Sequence, residues 1–313
     1  MEDLALYFLW SGLVASAVSS ALYLMYAFQP QAVALLAHVL PSLGRPALST
    51  AASGAGNVTL TTPDAAPRIQ RSGTLAGVAS LSAWVTVTFG GLGLVFRTIA
   101  LEHAPFSNLF EFSMAFGFAI ALAYALSERR FGGHLLGAFV MPVSFALYAS
   151  AIAFPSEGER VLVPALQSPT LLSIHVALMI LSYAVLAVAF GAALMHLLQG
   201  DKGRRHLWLP SARRCDELTY RSVLVGFPLL AVGVALGAFW ANDAWGRYWG
   251  WDPKETAALV TWLIFAAYLH TRGVRQFRGA RGAWIVVGGF IGVLFTHLAV
   301  NLWITGLHSY AGV

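Results

Sequence analysis

Read for hydrophobicity, the chain is a series of long apolar stretches separated by short polar ones. A helix needs about 20 mostly apolar residues to cross a bilayer. Eight stretches qualify, at 4–28, 74–96, 108–126, 131–153, 170–198, 221–241, 256–271 and 283–305, the seventh being short. The pattern predicts an all-α fold, a polytopic membrane helix bundle of about eight transmembrane helices that fills 1–313 as a single membrane domain. Between the first two spans, 41–73 is rich in Gly, Ser, Ala, Pro and Thr and has no apolar period. It reads as a loose loop.

Composition agrees with this reading. Only 11% of the 313 residues are charged and 58% are apolar, against about 25% charged in a soluble domain. A net charge of +5 raises the question of nucleic acid. The basic residues fall in short loops beside apolar spans, however, where they orient a membrane protein, so no nucleic-acid partner is expected. Cys215 is the one cysteine, which excludes an internal disulfide. Without a Cys-x-x-Cys pair the chain is neither a dithiol oxidoreductase nor itself a c-type cytochrome. Met1, Glu2 and Asp3 lack the basic region of a signal peptide, so 4–28 reads as a retained span.

Lysine and arginine set the direction. One set of alternate loops holds fifteen of the nineteen, the other set four. By the positive-inside rule the richer set is cytoplasmic. The 41–73 loop is then cytoplasmic, and both termini lie on the outer face.

That topology also puts 240–255 outside, and this is the most unusual stretch of the chain. Trp240, Trp245, Trp249 and Trp251 fall within twelve residues together with Tyr248, beside Asp243, Arg247, Asp252 and Lys254. Aromatics crowded with charges suit a membrane–water boundary. They also make a platform for a large planar ligand with charged edges, such as a porphyrin. Asp252, Pro253 and Glu255 have the order of a helix N-cap, N1 and N3. Part of the motif can therefore serve only to begin the seventh span, which leaves the tryptophan cluster unexplained.

The histidines sort by depth. His175 opens the fifth span and His308 follows the eighth, both on the outer side. They flank the aromatic platform, either as two imidazoles that ligate a haem iron from opposite sides or as two interfacial side chains among headgroups. His270 ends the seventh span on the cytoplasmic side, as a functional group within the membrane or as a helix-end cap. His196 is about 31 Å along its helix from His175, so the two cannot share an iron. His297 lies mid-span and either faces the haem path or hydrogen-bonds a neighbouring helix, the second being the favoured reading. Glu111 opens the third span and needs a partner, Arg97 or Arg247, unless it snorkels or lines a route into the bundle.

The run from Trp245 to Glu255 closely resembles the tryptophan-rich "WWD" signature of haem-handling proteins. Thr261–His270 and Gly306–Tyr310 look like the corresponding parts of the CcsA (ResC) subunits of System II cytochrome c synthases. The resemblance implies a cytochrome c synthase of the haem lyase type, active only with a CcsB (ResB) partner, in a bacterial plasma membrane with its active face extracytoplasmic. Haem b (iron protoporphyrin IX) is the implied substrate and bound ligand. In this family two external histidines ligate the iron, matching His175 and His308. A third within the membrane shares a site with a CcsB histidine and matches His270. Trp240, Trp245, Arg247, Tyr248, Trp249, Trp251 and Asp252 are the implied haem-binding residues of the outer loop, with Arg247 and Lys254 as partners for the propionates or for headgroups. The acceptor is an apocytochrome bearing Cys-x-x-Cys-His, whose thiols form two thioethers, and a thiol-reducing partner fits the same chemistry. The alternative is a CcmC-type haem delivery or export protein without ligation activity. His297 stands where the family pattern leads us to expect an aromatic or apolar residue.

Overall fold

A computed structural model of the protein describes residues 2–39, 72–153, 169–201, 205–206, 208–274, 277–304 and 306–308. Nearly all of the predicted 41–73 loop lies outside them. Its last two residues belong to the next helix, where the Ser72 side chain accepts from Leu75 N–H as N-cap and Gly73 begins the first turn.

The order is α1 (Glu2–Val39), α2 (Gly73–Leu101), α3 (Leu109–Phe131), a 3-10 turn (His134–Leu136), α4 (Gly137–Ala153), α5 (Pro169–Gln199), α6 (Ala212–Trp245), α7 (Pro253–Thr271) and α8 (Ala280–Leu294). A π-helical turn (Phe295–Ala299) then carries α8 into α9 (Val300–Trp303). Every described element is helical. Each apolar stretch found its helix, but hydropathy placed several ends short. α6 begins at Ala212 rather than near 221, because Arg213, Arg214, Asp216 and Glu217 continue the helix without being apolar, and Ser211 caps its start. Among the described residues, seven helices are long and apolar enough to cross a membrane, and α7 is not one of them. Lys254, Glu255 and His270 occupy its two ends, which leaves only a short apolar stretch between.

Packing centres on α5, which touches α3, α4, α6 and α8. Its Ala184, Ala187, Ala189, Ala192 and Ala193 are fully buried. Within lipid, helices associate by close backbone approach over small residues rather than by expulsion of water. α6 meets α5 in the same way. A Cβ at Gly226 would fall 2.8 Å from Leu186 and one at Gly233 would fall 2.7 Å from Met179. Ser182 Oγ donates to the Gly226 carbonyl at 2.8 Å across the seam. Large apolar side chains such as Trp10, Leu81, Val95, Trp284 and Ile291 point outward, as a lipid-facing belt requires.

Three ionisable groups on the helices show the pairing that hydrocarbon demands. Glu111 is fully buried. Of the two partners foreseen for it, Arg97 is the one present, with Nη2 and Nε each 3.1 Å from Oε1. Ser107 donates to its other oxygen from both N–H and Oγ. At the far end of α3, Glu128 accepts from Tyr23, Tyr124 and His134. Arg272 grips Asp216 through two bonds of 2.6 and 2.8 Å and ties the end of α7 to α6.

Candidate functional site

The tryptophan-rich stretch is a helix end, a turn and a helix start. α6 continues through Trp240 to Trp245. Gly246, at φ 70, takes the left-handed position that stops it and donates its N–H to Asn242 O. The loop proper is 246–252. Two carboxylates shape it. Glu255 Oε2 accepts from Gly250 N–H at 2.8 Å and Asp252 N–H at 3.1 Å. These bonds hold Trp251 at φ 56, an unfavourable region for a bulky side chain that costs on the order of 1–3 kcal/mol.

Asp252 serves several groups at once. As N-cap of α7 it accepts from Lys254 N–H and forms a capping box with Glu255. Its Oδ1 accepts from Leu307 N–H at 2.5 Å, and its Oδ2 lies 2.6 Å from His308 Nδ1. The residue that begins α7 therefore also fastens the segment after α9 and orients its imidazole. Burial works against the Asp252 carboxylate, but the His308 contact and the N–H groups of Lys254 and Leu307 outweigh it and hold its pKa below the ordinary value. For His308 burial is the larger effect and pushes the pKa down, against the pull of Asp252. Burial thus favours the neutral form of the ring.

His175 comes from the first turns of α5. Its Nδ1 is 2.7 Å from the Gly233 carbonyl of α6. A carbonyl only accepts, so Nδ1 carries the proton and Nε2 the lone pair. The ring fits because Gly237, one turn on, has no side chain: a Cβ there would lie 2.6 Å from His175 Cε1. Donation from His308 Nδ1 to a carboxylate selects the same tautomer. Trp240 stands between the two histidines. It stacks on His175 at 6.4 Å and 8°, and its ring centroid is 5.8 Å from that of His308. Trp245 meets His308 edge-on at 4.8 Å.

These groups border one cleft, open on one side. His175, His308, Trp240 and Trp249 of the predicted residues line it, and so does Lys254. Trp245 and Asp252 stand behind His308. Arg247 lies against Gly250, outside the lining. Tyr248 and Trp251 are 53% and 70% exposed, with Trp251 edge-on to Trp249 at 5.9 Å. His270 is exposed at the opposite end of α7.

Sequence reasoning left four contributors out of the site. His297 does bond a neighbouring helix, with Nε2 3.0 Å from Ser113 Oγ, but it also lines the cleft, as does Asn301 one turn later. The signal available was an ionisable residue in mid-span. Gly233 and Gly237 receive and make room for His175. Their spacing of four, three residues ahead of Trp240, put all three on one face of α6.

A family model described as "Cytochrome C assembly protein" matches residues 106–308, a range that contains every cleft residue. Three curated relatives bear the description "Cytochrome c biogenesis protein CcsA". The chain is 42% identical over 216 residues to the one from Chlamydomonas reinhardtii, covering 66% of this chain and 61% of that protein. It is 36% identical over 256 residues to the one from Guillardia theta, covering 74% and 84%. It is 33% identical over 297 residues to the one from Gloeothece citriformis, covering 78% and 88%. Among solved structures, "Cytochrome c Heme Lyase CcmF" aligns with 92% of this chain and 46% of its own length, at a TM-score of 0.52 and 21% identity. That likeness is one of fold.

Proposed function

This chain belongs to the cytochrome c assembly family, alongside the CcsA proteins, and from that premise we propose that it is the haem-handling subunit of a cytochrome c synthase. It works with a CcsB partner to carry haem b outward and attach it to apocytochromes. One observation carries the reading. On either side of Trp240, His175 and His308 each commit Nδ1–H to a fixed acceptor, a carbonyl and a carboxylate. Histidines that ligate metals are oriented in this way, with the second ring nitrogen as the ligand. The cleft between them is walled by Trp240 and Trp249 and offers one cation, Lys254, to a propionate. These residues suit haem as a substrate: two neutral imidazoles for the axial positions, aromatic faces for the macrocycle, and a charge for its edge.

The attachment chemistry needs little beyond positioning. Each thiol of a Cys-x-x-Cys-His segment adds across one haem vinyl group, sulfur to one carbon and hydrogen to the other. Two C–S bonds form with no net electron transfer. A thiol-reducing partner would keep both sulfurs as thiols beforehand. Holding the vinyls against the thiols in one orientation converts a bimolecular encounter into an intramolecular one. The exposed Tyr248 and Trp251 offer a docking face for the apocytochrome. Arg247 serves the same loop from outside the cleft. His270, at the other end of α7, would share an inner haem site with a histidine of the partner.

The positive-inside bias supports a cleft on the outer face of the membrane, which in this reading is a bacterial plasma membrane. Cysteines introduced as Asp243→Cys and Val274→Cys should separate cleanly in intact cells. An impermeant thiol reagent should label the first and spare the second, and labelling of Val274→Cys alone would invert the topology and sink the proposal.

The supports of the two imidazoles give a second test. Asp252→Ala leaves His308 without its orienting carboxylate, and Gly237→Ala drives a methyl into the His175 ring. Loss of such supports typically lowers metal affinity about 10–100-fold, and we expect that range for haem in both variants. Their stabilities should diverge. Asp252→Ala loses a helix cap, worth about 0.5–2 kcal/mol. Gly237→Ala gains helix propensity of about 1 kcal/mol. Haem titration and thermal unfolding of the purified variants check both, and wild-type haem affinity in each would remove the imidazole pair from the site.

A further inference from the structure

The cleft does not stop at His175 and His308. It continues along α5 past Met179 to Tyr183, two helical turns beyond His175 or about 12 Å. At that depth the wall is formed by the π-helical turn and α9. His297 is 3% exposed, stacks on Phe112 at 5.2 Å and meets Phe116 edge-on. Single π turns inside α-helices recur at functional sites, and this one carries an imidazole into the cleft beside Phe112.

The hydrogen bonds around His297 settle its tautomer. Ser113 is fully buried, and the His297 Nε2 contact is its hydroxyl's partner among the described residues. With the opposite direction both the Ser113 hydroxyl proton and the Nδ1 lone pair would be buried without partners, so Ser113 donates and Nε2 accepts. The proton of the ring is then on Nδ1. That N–H is buried and has no acceptor among the described residues. One turn on, Asn301 donates Nδ2–H to the His297 carbonyl at 2.5 Å. Its Oδ1 is buried without a donor among the described residues. Residues four apart share a helix face, and both side chains line the cleft. A donor and an acceptor side by side, each buried and unsatisfied, are costly unless something completes them.

We propose that His297 Nδ1–H and Asn301 Oδ1 together form a subsite for a neutral carboxylic acid group, one propionic side chain of the haem. The carbonyl oxygen of the acid accepts from His297, and its O–H donates to Asn301. Burial in a low-dielectric cleft favours the protonated acid over the carboxylate. Lys254 is close enough to act electrostatically on His297 and takes the second propionate. On protoporphyrin IX the vinyl groups sit on the edge away from the propionates. Anchoring the acid edge deep in the cleft turns the vinyl edge toward the end where an apocytochrome would arrive. His297 is thus a positioning residue, and the inference rests on the haem reading above.

The test uses the full chain with its partner, solubilised in detergent and freed of haem. It is titrated with iron protoporphyrin IX and with the dimethyl ester of that compound, which can accept a hydrogen bond but not donate one. The wild type should prefer the free acid. In His297→Phe, which keeps a planar ring on Phe112, affinity for the free acid should fall about 2–10-fold. The ester carbonyl loses the same N–H contact and should weaken alongside it, while the bis-imidazole absorption spectrum stays unchanged. Asn301→Leu should weaken the free acid by a similar factor and leave the ester unchanged, and the double variant should lose less than the two single losses combined, since both contacts serve one group. An undiminished affinity for the free acid in His297→Phe, or an undiminished preference for it over the ester in Asn301→Leu, would assign the two atoms to a bound water and overturn the proposal. An altered axial-ligand spectrum would make His297 an iron ligand and overturn it too. Failure of the wild type to bind either porphyrin would remove the haem reading itself.

Discussion

Replacing His175 and His308 together by alanine should abolish stable haem binding and cytochrome output while leaving the bundle folded. Losing a single orienting partner costs about 10–100-fold in metal affinity, so removing both ligands should weaken binding by at least about 100-fold. The fold has little at stake. The Gly233 carbonyl loses one acceptor contact, worth about 1 kcal/mol, and Asp252 keeps its bonds to Lys254 and Leu307. The single variants carry their own control. In His175→Ala the vacated space lies between Gly237 and Trp240, with the Gly233 carbonyl waiting for an N–H. Free imidazole can donate there and present its other nitrogen, so adding it should restore the bis-imidazole absorption spectrum and part of the output. Normal cytochrome maturation by the double variant would show that these two are not the iron ligands.

His270→Ala should be just as damaging in cells and nearly harmless in the test tube. The side chain is exposed at the far end of α7, about 27 Å from Asp252 at 1.5 Å per residue, and no cleft residue touches it. An effect on the outer site must therefore come through delivery. Protein made in cells with its partner should carry far less haem than the wild type and mature little cytochrome. The same purified variant should bind added haem with wild-type affinity and spectrum. Full haem content in cells with normal output would show that the inner site is not needed. Weak binding of added haem would instead point to a structural effect reaching the cleft.

Asp252 shows how far the linear reading went. Its order with Pro253 and Glu255 announced a helix start, and the capping box is present. The same order said nothing of His308, 56 residues away in the chain, whose imidazole shares that carboxylate. The tryptophan cluster was similarly half legible. Crowding marked the region, yet all four tryptophans looked equivalent. Trp240 is buried between two imidazoles, whereas Trp251 is thrown outward by a left-handed turn that Glu255 holds in place. Hydropathy found α7 but could not see that its charged ends belong to the site and to the Arg272 junction rather than to a full membrane span.

What the sequence determined by itself is therefore whatever depends on local chemistry or on depth. Long apolar runs must become helices in lipid because each backbone group has to be satisfied within its own segment. The charge bias predicts direction, and it put His175, His308 and the tryptophans at one end of the bundle. Tertiary structure alone decided the tautomers, the division of the tryptophans between wall and surface, and the place of His297 in the cleft. These depend on which atoms of distant segments come within about 3 Å of one another, and helix-to-helix rotation sets that. Along one helix, rotation follows from spacing. Between helices it follows from small contacts such as Gly237 beneath the His175 ring, where a single methyl group would change the answer.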